Sequence, residues 1–233
     1  MHILYEDRDL IFINKPSGLV VQRSHDETEP VLFEMVQEML AGRGEETFMI
    51  QRLDRGTSGV IFFSKTSELN RKITRSFETK RISKIYLALC EGRISQAQLV
   101  DAPIARIGPI KFGVRPQGRV ARTRFSALQW NDDRTLLRIE LLTGRTHQIR
   151  VHLSALGHPL VGDWLYGERD AGRTMLHAKE CAMPHPRTNE PIRVAASLPD
   201  DFREAIRASG LQWDEDEPRP GVLMSPAGDD PTE

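Results

Sequence analysis

Arg52-Leu53-Asp54-Arg55-Gly56-Thr57-Ser58-Gly59 runs directly into Val60-Ile61-Phe62-Phe63, a polar turn followed by four apolar residues. A run this short and this rich in β-branched and aromatic residues reads as a strand buried on both faces. The turn before it holds one carboxylate, Asp54, between two arginines. Such a carboxylate stays ionised, which makes it a poor general acid and a serviceable nucleophile. An aspartate that only orders its turn, through side-chain bonds to the backbone, fits the same residues.

Outward from this turn, Ile3-Leu4-Tyr5 and Leu10 to Asn14, split by Glu6 to Asp9, predict a hairpin. Leu32, Met35, Val36, Met39 and Leu40 recur at helical spacing, with Pro30 at the start and Gly42 past the end. Leu69, Ile73 and Phe77 mark a second helix with a basic opposite face, and Ile85 to Leu89 a further strand. The Pro- and Gly-bearing stretch from Pro103 to Gly118 predicts an exposed loop. Ala121–Trp130 and Thr135–Leu142 read as strands joined by a tight turn. Thr146 to Leu156 reads as a helix closed by Gly157, with Ile149, Leu153 and Leu156 facing inward, and a last helix spans about Asp200 to Ser209. Strands in mixed order with four helices predict the α+β fold class rather than a regular βαβ wind. One domain is expected over residues 1–213, followed by an acidic, disordered tail at 214–233.

Composition narrows the function classes. The 233 residues are 39% hydrophobic with a net charge of −1, which excludes wholesale disorder and collagen-like repeats. No apolar run approaches the roughly 18 residues of a membrane span, so the chain is expected to be cytoplasmic, without a leader and without a membrane partner. Two cysteines, Cys90 and Cys181, exclude a disulfide framework. The tail from Asp214 on carries seven acids against Arg219, which leaves residues 1–213 at +5. Six Lys or Arg fall in Arg71–Tyr86 and six in Ile104–Arg124, stretches that suit either a polyanion or a solvated surface. No Gly-rich phosphate loop is present, so no nucleotide cofactor is expected. His177, Cys181 and His185 are ligand types interrupted by Pro184 and Pro186, without a short-spaced Cys pair, so no metal is expected.

The motif Arg52-Leu53-Asp54-x-x-Thr57-Ser58-Gly59, followed by Ser64-Lys65, resembles the catalytic motif of the RluA-type RNA pseudouridine synthases, His-Arg-Leu-Asp-x-x-Thr-Ser-Gly. Lys15-Pro16-Ser17-Gly18, Lys84-Ile85-Tyr86-Leu87-Ala88 and Thr143 to Leu153 resemble that family's other motifs in the same order, continued by Gly157-His158-Pro159, Gly162-Asp163, Leu176-His177-Ala178 and His185-Pro186. Gln51 stands where the family has His and cannot carry a positive charge.

The resemblance implies a single catalytic domain with a mixed, largely antiparallel sheet flanked by helices, acting as a monomer and without an S4-type RNA-binding domain. It implies conversion of uridine to pseudouridine in structured RNA, ribosomal or transfer RNA, with no cofactor. Asp54 would be the nucleophile, Arg150 its ion-pair partner, and Tyr86 the platform for the base and the candidate proton acceptor. Arg52, Thr57, Ser58, Lys15, Arg145, His147, Gln148, Lys80 and Arg81 would bind the substrate, with Arg52 filling the space left by an extruded nucleotide or holding its phosphate. Two other readings use the same residues: a non-catalytic RNA-binding or chaperone protein on the same fold, and a hydrolase pairing Asp54 with Glu78 or Asp163.

Overall fold

The apolar runs Leu10–Lys15 and Ser58–Ser64 pair antiparallel within a sheet. Alternate side chains point to opposite faces. Ile11, Ile13, Ile61 and Phe63 join one apolar cluster, and Leu10, Phe12, Val60 and Phe62 another. Both faces are therefore covered, which is why these runs show no polar alternation. The computed structural model describes residues 1–23, 29–167 and 172–213, so the tail expected at 214–233 lies outside the described residues.

In chain order the elements are β1 (His2–Glu6), β2 (Leu10–Lys15), α1 (Leu32–Ala41), β3 (Phe48–Met49), β4 (Ser58–Ser64), α2 (Ser67–Glu78), β5 (Ser83–Glu91), β6 (Gln98–Asp101), β7 (Ile104–Arg106), β8 (Phe112–Val114), β9 (Arg122–Trp130), β10 (Arg134–Leu141), α3 (Gln148–Ala155), β11 (Leu176–Pro184), β12 (Pro191–Ala195) and α4 (Asp200–Ala208). The main sheet runs β1-β2-β4-β11-β5-β10-β9-β6, with β3 added to β4 and β12 to β11. Among the described pairings only β4 with β11 is parallel, so the α+β sheet is mixed and largely antiparallel. Leu32, Val36 and Leu40 of α1, with Ile149 and Leu153 of α3, pack on one face. Leu69 and Ile73 of α2 pack on the other face, as do Phe202 and Ile206 of α4 farther along the sheet. Among the described residues no helix is long and apolar enough to cross a membrane.

The sequence reading did not foresee β3, β6 and β12, and three further regions differ from it. The stretch read as an exposed loop, Pro103–Gly118, holds the hairpin β7–β8, anchored where Ile104 packs with Ala121 and with Val151 of α3. Strand β11 escaped notice because Lys179, Glu180 and His177 interrupt its apolar residues, yet all three are buried. Helix α3 is shorter than expected, and Leu156, read as inward-facing, is 41% exposed.

Candidate active site

Three backbone-level clamps hold the Asp54 turn. Thr57 N donates to Asp54 O at 3.0 Å, Gly18 N to Arg55 O at 2.9 Å, and Ser17 Oγ to Gly56 O at 2.8 Å. Lys15 adds a fourth from below: its Nζ donates to the carbonyls of Pro16, Leu19 and Arg55 at 2.9, 2.7 and 3.1 Å. The Lys15 side chain is fully buried, and burial pulls its pKa down to about 7 against the opposing pull of Asp54. Lys15 therefore ties the N-terminal motif to the turn and does not reach the cleft. Gly59 closes the turn at φ +106°, and a Cβ there would sit 2.2 Å from Ala178 O, so the parallel approach of β11 to β4 admits only glycine.

The turn opens onto a cleft of about 750 Å³ lined by Asp54, Tyr86, Arg150, His147, Lys84 and Thr57 among others. Tyr86 rises from β5 and Arg150 from α3, so a turn, a strand and a helix converge on one place. Arg150 reaches Asp54 Oδ2 with Nη1 at 3.4 Å. Its stronger partner is Asp163, which takes Nε and Nη2 at 2.7 Å each and is itself fully buried. Asp163 Oδ1 also accepts the backbone N–H groups of Leu165 and Tyr166 at 3.1 Å each. Burial opposes the Arg150 charge, but the Asp163 and Asp54 carboxylates outweigh it and hold its pKa above the ordinary value. The resemblance implied Asp54 as the partner of Arg150; Arg150 is buried and fixed by Asp163, and presents its remaining nitrogen to Asp54. Committed in this way, Asp163 is not free to pair with Asp54 for hydrolysis; Glu78, the other carboxylate of that reading, lines the cleft.

His147 stands at the N-terminal end of α3 in the left-handed region, φ +55°. Its Nδ1 lies 2.9 Å from Tyr166 Oη, which also accepts Phe112 N–H at 2.9 Å, and its Nε2 is 3.9 Å from Asp54 Oδ1. Burial lowers the His147 pKa, with Arg150 adding to the effect while Asp54 and Asp163 oppose it. The ring is thus neutral near pH 7. The Tyr166 ring also lies beneath the Arg150 guanidinium, 5.0 Å from its centroid. Burial, with smaller contributions from Cys181 and Asp54, pushes the Tyr86 phenol well above its ordinary value, so it stays protonated.

The remaining expected site residues divide. Arg52, Thr57, Lys80, Arg145 and His147 line the cleft; Arg52 is exposed and donates to Gln22 Oε1 at 3.3 Å. Gln51, in the family's His position, lines it too. Gln148 borders the cleft, but its amide is committed: Oε1 accepts Thr143 Oγ1 at 2.7 Å and Arg145 N at 3.0 Å, and Nε2 donates to Arg122 O and Thr123 Oγ1 at 2.9 Å each. Ser58 does not reach the cleft: it is buried with Oγ between His177 Nδ1 at 2.8 Å and Arg173 Nη2 at 2.9 Å. Arg81 lies outside the cleft, exposed, with Nη2 on Asn189 Oδ1 at 2.8 Å. Asp163 as the fixer of Arg150, and Tyr166, were missed. The signal was weak: a single carboxylate after Gly162, with a tyrosine three residues on.

Residues 9–155 match the family model described as RNA pseudouridylate synthase. A Bacillus subtilis (strain 168) protein named RNA pseudouridine synthase YhcT is 35% identical over 216 residues, which cover 89% of this chain and 72% of that one. A Nitrosomonas europaea protein named ribosomal large subunit pseudouridine synthase D is 34% identical over 223 residues, covering 89% of this chain and 65% of that one; the chain thus spans just under two thirds of that relative. Among solved structures, human RNA pseudouridylate synthase domain containing 4 superposes with a TM-score of 0.76 at 25% identity, covering 91% of this chain and 94% of that one.

Proposed function

The chain belongs to the RNA pseudouridylate synthase family, and on that premise we propose that its cleft isomerises uridine to pseudouridine in structured RNA, with Asp54 as the nucleophile. The observation that carries this is the convergence of Asp54, Tyr86 and Arg150, from three separate elements, on one cleft. In the reaction, the N1–C1′ bond of uridine breaks, the uracil turns, and C5 joins C1′; the proton on C5 is lost and N1 takes one up, so the product is an isomer of the substrate. Bonds are exchanged without net redox change or hydrolysis. The ionised Asp54 attacks or stabilises the sugar carbon, and Arg150 holds it oriented without neutralising it by proton transfer. Tyr86 serves as a protonated ring platform under the base rather than as the resting proton acceptor, because its burial disfavours the phenolate. A stacked uridine must leave its helix to enter, at a cost of a few kcal/mol, and exposed Arg52 at the cleft mouth is placed to meet the strand it leaves.

Ribosomal RNA is the proposed substrate: two relatives, from Nitrosomonas europaea and Haemophilus influenzae, carry names that specify the large ribosomal subunit. The protein acts as a cytoplasmic monomer in this reading. Pseudouridine mapping of total RNA from cells with and without the gene tests it. One or more ribosomal positions should lose the modification; loss confined to transfer RNA would replace the substrate, and no loss anywhere would contradict the assignment.

A further inference from the structure

Lys84 belongs by sequence to the basic stretch Arg71–Tyr86, but its side chain leaves that surface. It sits two residues before Tyr86 on β5, so the two share a face of the sheet, and both line the cleft. Its Nζ lies 5.0 Å from the centroid of the Phe77 ring, and a Cβ on Gly144 would be 3.8 Å from it. The ammonium is therefore held between α2 and the loop that leads into α3. Among the described residues no carboxylate pairs with it. Glu140, the cleft carboxylate on the adjacent strand β10, is engaged by Arg124 at 2.6 Å. Arg150, the cation beside Asp54, is matched by Asp163 and Asp54. Burial lowers the Lys84 pKa. A ring face repays only part of the cost of desolvating an ammonium, so Lys84 is a cleft cation without a carboxylate partner among the described residues, on the same wall as the platform for the base.

We propose that Lys84 contacts the carbonyl edge of the uracil and balances the negative charge the ring takes up when the N1–C1′ bond breaks. Heterolysis leaves the bonding electron pair on the uracil, delocalised over N1, O2 and O4. The Lys84 ammonium offsets that charge and retains the detached ring against Tyr86 until C5 bonds to C1′. No proton need pass through Lys84. A contact realised more fully in the transition state than in the bound ground state raises the rate rather than the affinity.

The inference rests on the proposed uridine site, and the test separates the two. Wild type, Asp54→Asn, Lys84→Met and Lys84→Arg are compared by single-turnover conversion at saturating RNA and by RNA binding over a range of salt, with thermal unfolding to confirm that each is folded. Conversion by wild type and none by Asp54→Asn establishes the site whatever Lys84 does. Lys84→Met should then convert about 10²–10³-fold more slowly, with its affinity within threefold of wild type and its salt dependence unchanged; Lys84→Arg should recover at least tenfold of the loss. A Lys84→Met rate within threefold of wild type overturns the inference. So does normal conversion at saturation with weakened binding and a salt slope lower by about 0.7, the signature of a single-strand phosphate contact. If Lys84→Met is unfolded, Lys84→Gln takes its place: a single-turnover rate more than tenfold below wild type, with Lys84→Arg faster than Lys84→Gln, supports the charge role, and a rate within tenfold of wild type overturns it. No conversion by wild type removes both readings.

Discussion

Replacing Asp54 by Asn keeps the size of the side chain and removes its charge. Asp54 is 28% exposed and makes one long ion pair through Oδ2, so Asp54→Asn should leave the unfolding midpoint close to wild type while lowering conversion by more than about 10³-fold. Arg150 behaves differently, because its main partner is the fully buried Asp163. Arg150→Met strands that carboxylate and should cost about 3–5 kcal/mol in denaturant unfolding. The double variant Arg150→Met with Asp163→Asn should cost less than the sum of the single losses by about 0.5–3 kcal/mol. The same cycle run with Asp54→Asn should be closer to additive. That Asp54, Tyr86 and Arg150 share one cleft follows the expectation drawn from the resemblance, since each sits in a stretch that resembles a motif of the family. The Arg150–Asp163 pair was not, since one carboxylate 13 residues from an arginine carries no local signal. The place of Lys84 on the cleft wall was not legible for a related reason: a sequence shows that a cation is present but not which cavity its strand borders.

Among the elements, the active turn depends on a neighbour that makes no contact with the chemistry, Lys15 at the end of β2. Lys15→Met would leave the carbonyls of Pro16 and Leu19 without this donor, each at about 1–3 kcal/mol if it stays dry, while Arg55 O keeps the Gly18 N–H. Urea unfolding should show a loss of that order, and conversion should fall with it; an unchanged midpoint would mean that the turn holds itself. Helix α3 carries a pH dependence. His152 Nε2 lies 2.9 Å from Ala102 O and so donates to it, while Nδ1 accepts from Thr123 Oγ1 at 2.9 Å, an arrangement that needs the neutral ring. Burial lowers the pKa of both His152 and His147 below the ordinary 6.5. The unfolded chain therefore takes up protons first, and stability should decline as pH falls from about 6.5 toward the lower folded values. His152→Gln should flatten that part of the curve, read as urea midpoint against pH; a slope identical to wild type would contradict the neutral assignment. The first hairpin, the helices and the strands β4, β5, β9 and β10 were legible from periodicity. The β7–β8 hairpin and β11 were not, because Pro and Gly in one and buried polar residues in the other imitate loops, and only packing against α3 and β5 reveals them.

For the whole molecule, charge and shape have separate parts. The α+β class follows from the order of strand and helix patterns, but the sheet order does not, since β11 enters between β4 and β5 from far along the chain. That insertion brings His177 against Ser58 and fixes the back of the active turn. The exposed cations Lys80 and Arg81 stand at and beyond the cleft rim. Neutralising both should weaken binding to all RNAs alike and reduce the log–log salt slope by up to about 1.4 if each meets a single-strand phosphate. A loss confined to one RNA, with the slope unchanged, would assign them to base reading instead. Pseudouridine formation at Asp54 is open to mass spectrometry of ribosomal RNA from a strain lacking the gene, after incubation with purified wild-type protein or with Asp54→Asn. Wild type should restore pseudouridine at the positions the strain has lost, and Asp54→Asn, folded and RNA-bound, should restore none; restoration by Asp54→Asn at a rate within tenfold of wild type would rule out Asp54 as the nucleophile.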